Sequence, residues 1–227
     1  MRVCVVGAGA SGLPAIKSCL EEGLDVVCYE KTSDIGGLWN YRPTDTTVGG
    51  TVMATTVVNT SKEMMAYSDF PPDENLPNFM HHSLLLDYIR KYAETFDLVK
   101  YIQFNTTVKM ITKVDDKWRV ELEKGGIELF DRLMICTGHH ALPQYAQLRD
   151  MNRFKGKIMH AHEYRDWKGF EGKNVFLLGI GNSALDIAVD LAKIAKSVTI
   201  STRRGSWIFN RVSQGGMPYD TLLMTRL

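Results

Sequence analysis

Two glycine-rich turns, Gly7-Ala8-Gly9-Ala10-Ser11-Gly12 and Gly179-Ile180-Gly181-Asn182-Ser183-Ala184, stand 172 positions apart in this 227-residue chain. Each comes after a short apolar run and opens a segment of helical periodicity. That order of strand, tight turn and helix is what a βαβ nucleotide-binding unit requires. One such turn carries little information. Two in the same context predict an α/β fold with two nucleotide cofactors and therefore electron transfer between them.

The residues downstream of each turn distinguish the cofactors. Arg2-Val3-Cys4-Val5-Val6 reads as a buried parallel strand. In the turn, Gly7 allows the tight bend, Gly9 a close approach to a pyrophosphate, and Gly12 close helix–strand packing. Amides at the helix start and the helix dipole then favour the phosphates. The helix is predicted to run to about Glu22 and to stop at Gly23. A second strand, Asp25-Val26-Val27-Cys28-Tyr29, ends in Glu30, 23 residues after Gly7. A carboxylate there accepts hydrogen bonds from a ribose diol and repels a phosphate esterified to it, which suits FAD or NAD and disfavours NADP. The competing reading is a glycine turn without a ligand, which does not account for the acid.

Around the second turn, Asn174-Val175-Phe176-Leu177-Leu178 reads as a strand, followed by a helix to about Lys196 and a strand Ser197-Val198-Thr199-Ile200-Ser201. The position 23 residues after Gly179 holds Thr202, and Arg203 and Arg204 come next. Guanidinium groups pair with a phosphate dianion through charge-assisted hydrogen bonds. This half therefore reads as an NADP site with both arginines at the 2′-phosphate. The alternative, two exposed arginines at a strand end, loses ground beside Glu30: one site excludes the extra phosphate and the other invites it.

Between the turns, Asp34-Ile35-Gly36-Gly37-Leu38-Trp39 would let backbone pass beside a bulky cofactor. Thr44 to Thr60 is polar and aperiodic, and Asn59 reads locally as a turn residue. His82-Ser83 is expected to precede a helix that runs to about Phe96 with Leu85, Tyr88, Ile89, Tyr92 and Phe96 inward. Thr107 to Phe130 reads as a β-meander, and Arg132 to Cys136 as another buried strand closing in Thr137-Gly138.

A formal net charge of +1 and no basic stripe give no reason to expect a nucleic-acid partner. Cys4, Cys19, Cys28 and Cys136 are scattered and read as reduced, mostly buried thiols. The histidine pairs lack acids or cysteines at structural zinc spacing, so no metal is expected. The chain enters a strand at once, which leaves no room for a cleavable signal, and no apolar segment is long enough to span a bilayer.

Phe154-Lys155-Gly156-Lys157-Ile158-Met159-His160-Ala161-His162-Glu163-Tyr164 fits F-x-G-x-x-x-H-x-x-x-Y and resembles the identifying motif of flavin-containing monooxygenases. Ser18–Gly23, Asp34–Trp39, Asn59–Met65, Pro77–Ser83, Cys136–His140 and Gly205–Trp207 resemble that family too. The resemblance implies a Rossmann-like FAD-binding domain with an inserted β-meander over 1–150, followed by an incomplete NADP-binding Rossmann-like domain over 151–227. It implies NADPH- and oxygen-dependent oxygenation of soft nitrogen or sulfur atoms of small amines or sulfides through a flavin hydroperoxide. Asn59 is matched to an active-site asparagine that hydrogen-bonds the peroxide, and His160 to a structural or gating role. Cofactor contacts are implied at Gly7, Gly9, Ser11, Gly12, Glu30, Gly37, Leu38, Trp39, Asn59, Thr60, Thr137 and Gly138. At the NADP(H) site they are implied at Gly179, Gly181, Asn182, Ser183, Thr202, Arg203 and Arg204. The family further implies the cytosolic face of the endoplasmic reticulum membrane, with membrane association only through a C-terminal segment outside this sequence.

Rival readings are a non-catalytic fragment that binds nucleotide or a partner, and a Baeyer–Villiger monooxygenase, which Tyr164 disfavours because those enzymes resemble a motif ending in Trp. A flavin disulfide reductase is disfavoured by the missing C-x-x-C. Family members are roughly twice as long, so apolar faces that later strands would cover are expected to lie exposed. These 227 residues alone are expected to bind FAD weakly and to turn over slowly or not at all. The check is an absorption spectrum of the purified chain with and without FAD; a yellow protein that NADPH bleaches and air restores would contradict it.

Overall fold

The computed structural model describes residues 1–44 and 49–223. Along the chain run β1 (Arg2–Val6), α1 (Gly12–Glu21), β2 (Asp25–Tyr29), α2 (Lys62–Met65), α3 (His82–Thr95) and β3 (Ile102–Gln103). Next come β4 (Val108–Val114), β5 (Lys117–Leu122), β6 (Ile127–Phe130), β7 (Arg132–Ile135), β8 (Asn174–Leu178), α4 (Asn182–Leu191), β9 (Ser197–Ser201) and α5 (Tyr219–Leu223). Contacts group these into two compact units, Met1–Thr51 with Ser83–Leu142, and Val52–His82 with Pro143–Leu227. The aperiodic stretch expected from Thr44 to Thr60 falls partly on 45–48, outside the described residues.

The first unit is built on a parallel sheet of order β3-β2-β1-β7. Leu13 and Ile16 of α1 are fully buried. The helix ends in a Schellman motif: Gly23 takes φ +67°, its N–H donates to Leu20 O, and Leu24 N–H donates to Cys19 O. The expected meander is present as the antiparallel sheet β4-β5-β6. It shares a core with the parallel sheet, in which Val120 and Phe130 pack with Cys4, Val6 and Tyr29. Tyr29 and Phe130 meet edge to face at 6.2 Å. The Tyr29 hydroxyl donates to Glu128 Oε1 at 2.5 Å, and Arg2 Nη2 donates to Glu128 Oε2 at 2.6 Å. The Tyr29 hydrogen bond leads the effects that hold the Glu128 carboxyl below its usual range.

β7 corrects the sequence reading. Its span is close to the one expected, but Ile135 is 68% exposed and Met134 half-exposed. β7 pairs with β1 on one side only and forms the sheet's edge, so an apolar run that looks like a central strand faces outward. Cys4, Cys19 and Cys28 are buried and free, Cys136 is half-buried, and burial pushes the Cys4 thiol up to about 12.

In the second unit, β8 and β9 pair in parallel, and α4 covers one face through Ile187 and Leu191, which join Tyr164 and Met53. On the other face Phe176 is 63% and Leu178 51% exposed, as expected for apolar faces without further strands. α4 stops at Leu191, short of the expected Lys196. The chain leaves the helix because Ile194 O accepts from Gly172 N–H and Lys196 N–H donates to Lys173 O, which turns it into β9. Phe130→Ala is expected to destabilise the first unit by about 3–5 kcal/mol. Urea denaturation of the two proteins measures it.

Candidate nucleotide sites

At the C-terminal edge of the first unit's sheet, the glycine loop is compressed from two sides. Gly7 has φ +100°, and a Cβ there would lie 2.5 Å from Cys136 O. A Cβ on Gly12 would lie 1.9 Å from Gly7 O. The third glycine is therefore demanded by the carbonyl of the first, and helix–strand packing is secondary. A Cβ on Gly9 would sit 3.6 Å from the Cα of Gly37. Gly36 N–H donates to Ala8 O, so the turn Gly37–Trp39, which carries Leu38, packs directly on the loop. Ser11 is exposed at the N-cap of α1 and makes no side-chain cap bond. Thr137 and Gly138 lie just past the end of β7, and the Cα of Thr137 is 3.6 Å from a Cβ built on Gly7. These groups converge where the order of strands reverses, between β1 and β7, the usual ligand position in an open α/β sheet.

Glu30 is 5% exposed and belongs to this cluster. Its Oε2 accepts from Ala8 N–H at 2.8 Å, and its Oε1 accepts from Thr32 N–H at 2.8 Å and Thr32 Oγ1 at 2.7 Å. A carboxylate accepts about four hydrogen bonds, so capacity for a ribose hydroxyl remains. Bare glycine backbone at Gly9 and Gly37, together with that carboxylate, fits an adenosine diphosphate moiety.

Two arginines that local spacing does not reveal also hold this turn, Arg42 from nearby and Arg90 from 56 positions away. Arg42 donates from Nη1 to Gly37 O and Asn40 O and from Nη2 to Gly50 O. Arg90 of α3 donates to Asp34 Oδ2 at 2.7 Å, and Asp34 Oδ1 accepts from Ile35 N–H.

In the second unit, a cavity of about 960 Å³ is lined by Gly179, Ile180, Thr202, Arg203 and Arg204 among others. Gly179 N–H donates to Ser201 O. Gly181 is the N-cap of the ten-residue α4, which begins with Asn182 and Ser183. A Cβ on Gly179 or Gly181 would meet nothing within 4 Å, so the helix start opens onto free space beside two exposed guanidinium groups. That arrangement fits a dinucleotide with an extra phosphate.

Asn59 and Thr60 also belong to the second unit. Asn59 is exposed on the turn entering α2, where Ser61 is the N-cap and its hydroxyl accepts from Met64 N–H. The Phe154–Tyr164 motif has a structural account. A Cβ on Gly156 would fall 2.5 Å from the Phe154 ring. His160 Nδ1 accepts from His162 N–H at 3.0 Å, while Glu163 Oε1 accepts from His160 N–H and from Tyr145 Oη, so the two side chains cap one turn reciprocally. Tyr164, buried against α4, donates to Asp190 Oδ2 at 2.6 Å. Among the described residues no group of three or more His, Cys, Asp or Glu is placed to hold a metal ion.

A family model described as flavin-binding monooxygenase-like matches residues 1–227. Rat flavin-containing monooxygenase 5 is 46% identical over 236 residues, which cover 100% of this chain and 44% of the rat protein. The N-oxide-forming dimethylaniline monooxygenase 2 of Macaca mulatta is 46% identical over 235 residues, with 99% and 44% covered. The structure of S-allyl-L-cysteine S-oxygenase from Allium sativum superposes with TM-score 0.82 at 27% identity, covering 95% of this chain and 54% of that one. The cyclohexanone monooxygenase of a Rhodococcus species, solved bound to NADP+, shares the fold at TM-score 0.73 and 22% identity, with 95% and 41% covered. The chain spans less than half the length of the curated relatives it matches.

Glu30→Gln places an amide NH2 opposite one of two backbone N–H donors. Expected is a loss of about 1–3 kcal/mol of stability in the absence of any nucleotide, read by urea denaturation. An unchanged midpoint would mean that the carboxylate does not hold the loop.

Proposed function

This chain belongs to the flavin-binding monooxygenase-like family, and we propose that it carries the FAD- and NADP(H)-binding portion of a monooxygenase acting on soft nitrogen or sulfur atoms of small molecules. One observation carries the assignment of the two sites. The acid after the first glycine turn is buried and bonded to that turn, whereas the second turn shares its cavity with Arg203 and Arg204. FAD belongs at the first site and NADP(H) at the second. In terms of cofactor the division is 1–150 and 151–227, although 52–82 pack with the second unit.

The flavin, when bound, supplies the redox chemistry with NADPH and dioxygen. The protein's residues bind and orient. Glu30 would receive the ribose of FAD, and the loop backbone of Gly9 to Ser11 at the N-terminus of α1 would face its pyrophosphate. Leu38 and Trp39 supply apolar walls beside it, and Thr137 and Gly138 supply backbone. Gly179 to Ser183 take the NADP(H) pyrophosphate, while Thr202, Arg203 and Arg204 take the 2′-phosphate. Asn59, with Thr60, would serve as the active-site amide, a neutral donor that does not deliver a proton as an acid would.

The substrate class is supported by relatives whose names describe N-oxide formation and S-oxygenation. The proposed setting is the cytosolic face of the endoplasmic reticulum. Among the described residues no helix is long and apolar enough to cross a membrane. Cofactor binding tests the reading, followed by flavin fluorescence as FAD is titrated with the chain and by titration of the FAD-saturated chain with NADP+. No saturable binding of either nucleotide would refute it, whereas little or no S-oxygenated product from a thiocarbamide such as methimazole is what these 227 residues alone are expected to give.

Arg203→Ala combined with Arg204→Ala is expected to weaken NADP+ binding by about 10- to 100-fold and to leave NAD+ binding unchanged. Titration calorimetry with both nucleotides reads the difference. Equal losses for the two would remove the arginines from the 2′-phosphate.

A further inference from the structure

The turn that carries Asn59 is pinned on both sides. Before it, Val58 N–H donates to Met80 O at 2.8 Å. After it, Lys62 N–H donates to Asn78 Oδ1 at 3.0 Å. Those two partners lie close by in sequence. The third anchor does not: Ser61 N–H donates to Asp220 Oδ2 at 2.6 Å, across 159 positions of chain. Ser61 is fully buried, so its amide has no water to fall back on. A carboxylate acceptor at that distance makes a charge-assisted bond, about twice as strong as one to a neutral oxygen.

Asp220 is itself held for this task. Its other oxygen, Oδ1, accepts from Thr221 N–H at 2.9 Å, and Thr221 Oγ1 donates to Pro218 O at 2.8 Å. Upstream, Tyr219 N–H donates to Arg211 O and Ser213 N–H to Met217 O, closing the hairpin that lies beyond Arg203 and Arg204. The bond to the neighbouring amide in its own short helix occupies Oδ1 alone. The bond from Oδ2 to Ser61 needs another explanation.

We propose that Asp220 is a positioning residue for Asn59, fixing the peptide after Thr60 so that the Asn59 amide is presented in one orientation. The proposal rests on reading Asn59 as the active-site amide. Asp220 has no role in touching cofactor or substrate and acts only through the Ser61 amide.

The experiment uses the 15N-labelled chain with Asp220→Ala and Asp220→Asn, recording amide exchange and the Asn59 side-chain NH2 resonances. In Asp220→Ala, exchange of the Ser61 amide should accelerate about tenfold or more, and the Asn59 NH2 resonances should shift, while β8 and β9 keep their protection. Asp220→Asn retains an acceptor oxygen and should stay within about threefold of the parent for Ser61. Unchanged Ser61 exchange in the alanine variant overturns the proposal. So does faster exchange with unmoved Asn59 resonances. If the alanine variant loses protection throughout the unit, the asparagine variant decides: parent-like Asn59 resonances support the link, and displaced ones with slow Ser61 exchange overturn it.

With saturating FAD and NADPH, the slow turnover expected of this chain should release a larger share of its reducing equivalents as hydrogen peroxide in Asp220→Ala at an unchanged KM for NADPH; without turnover, the exchange and resonance measurements decide. An unchanged share overturns the positioning role. If Asn59→Ala leaves that share unchanged while Asp220→Ala still frees the Ser61 amide, the reading of Asn59 fails and the link between Asp220 and the turn stands.

Discussion

The fold of the first unit turns on a steric collision that never occurs. The carbonyl of Gly7 points to where a side chain of residue 12 would begin, and the carbonyl of Cys136 points to where one of residue 7 would begin. Only backbone without Cβ atoms lets β1 end, bend and re-enter a helix in six residues while β7 lies alongside. That compression produces the tight entry into α1, where Gly12 and Leu13 N–H both donate to Gly9 O, the contact with the Gly36-Gly37 turn, and the position of Glu30 beneath Ala8. The carboxylate is the clasp of the loop and, in the function proposed, the acceptor for a ribose. A buried acid is tolerated at this place because three hydrogen bonds from the chain already satisfy it.

Much of this was legible in the sequence because it is local. β1, α1, β2, β8 and β9 are each announced by apolar runs and glycine punctuation within about thirty residues, and the helix over residues 82–95 by buried positions at helical spacing. Local patterns failed where a distant partner decides. α4 ends early because carbonyl and amide groups at Ile194 and Lys196 are claimed by Gly172 and Lys173. β7 has the composition of a central strand, but whether a strand is central depends on what lies beyond it.

The site divides in the same way. The glycines, Glu30 and the paired arginines carry their chemistry in their spacing. Arg42, Arg90 and Asp220 act across intervals with no sequence signature, and Asn59 on its own spacing is an ordinary turn residue. Resemblance to a family supplied the role proposed for Asn59. The hydrogen bonds at Val58, Ser61 and Lys62 supply a physical reason why that turn is held still.

Arg2 has a consequence for the order in which the chain can assemble. Its backbone N–H donates to Asp131 Oδ2, its guanidinium reaches Glu128, and β1 pairs with β7 along Val3–Val6. β1 thus finds half of its partners only some 130 residues further along the chain. β1 and β2 can meet early through α1, but closing the sheet costs the entropy of a very long loop. β1 keeps one edge open until β7 arrives, and so long-range a pairing favours slow closure of this sheet.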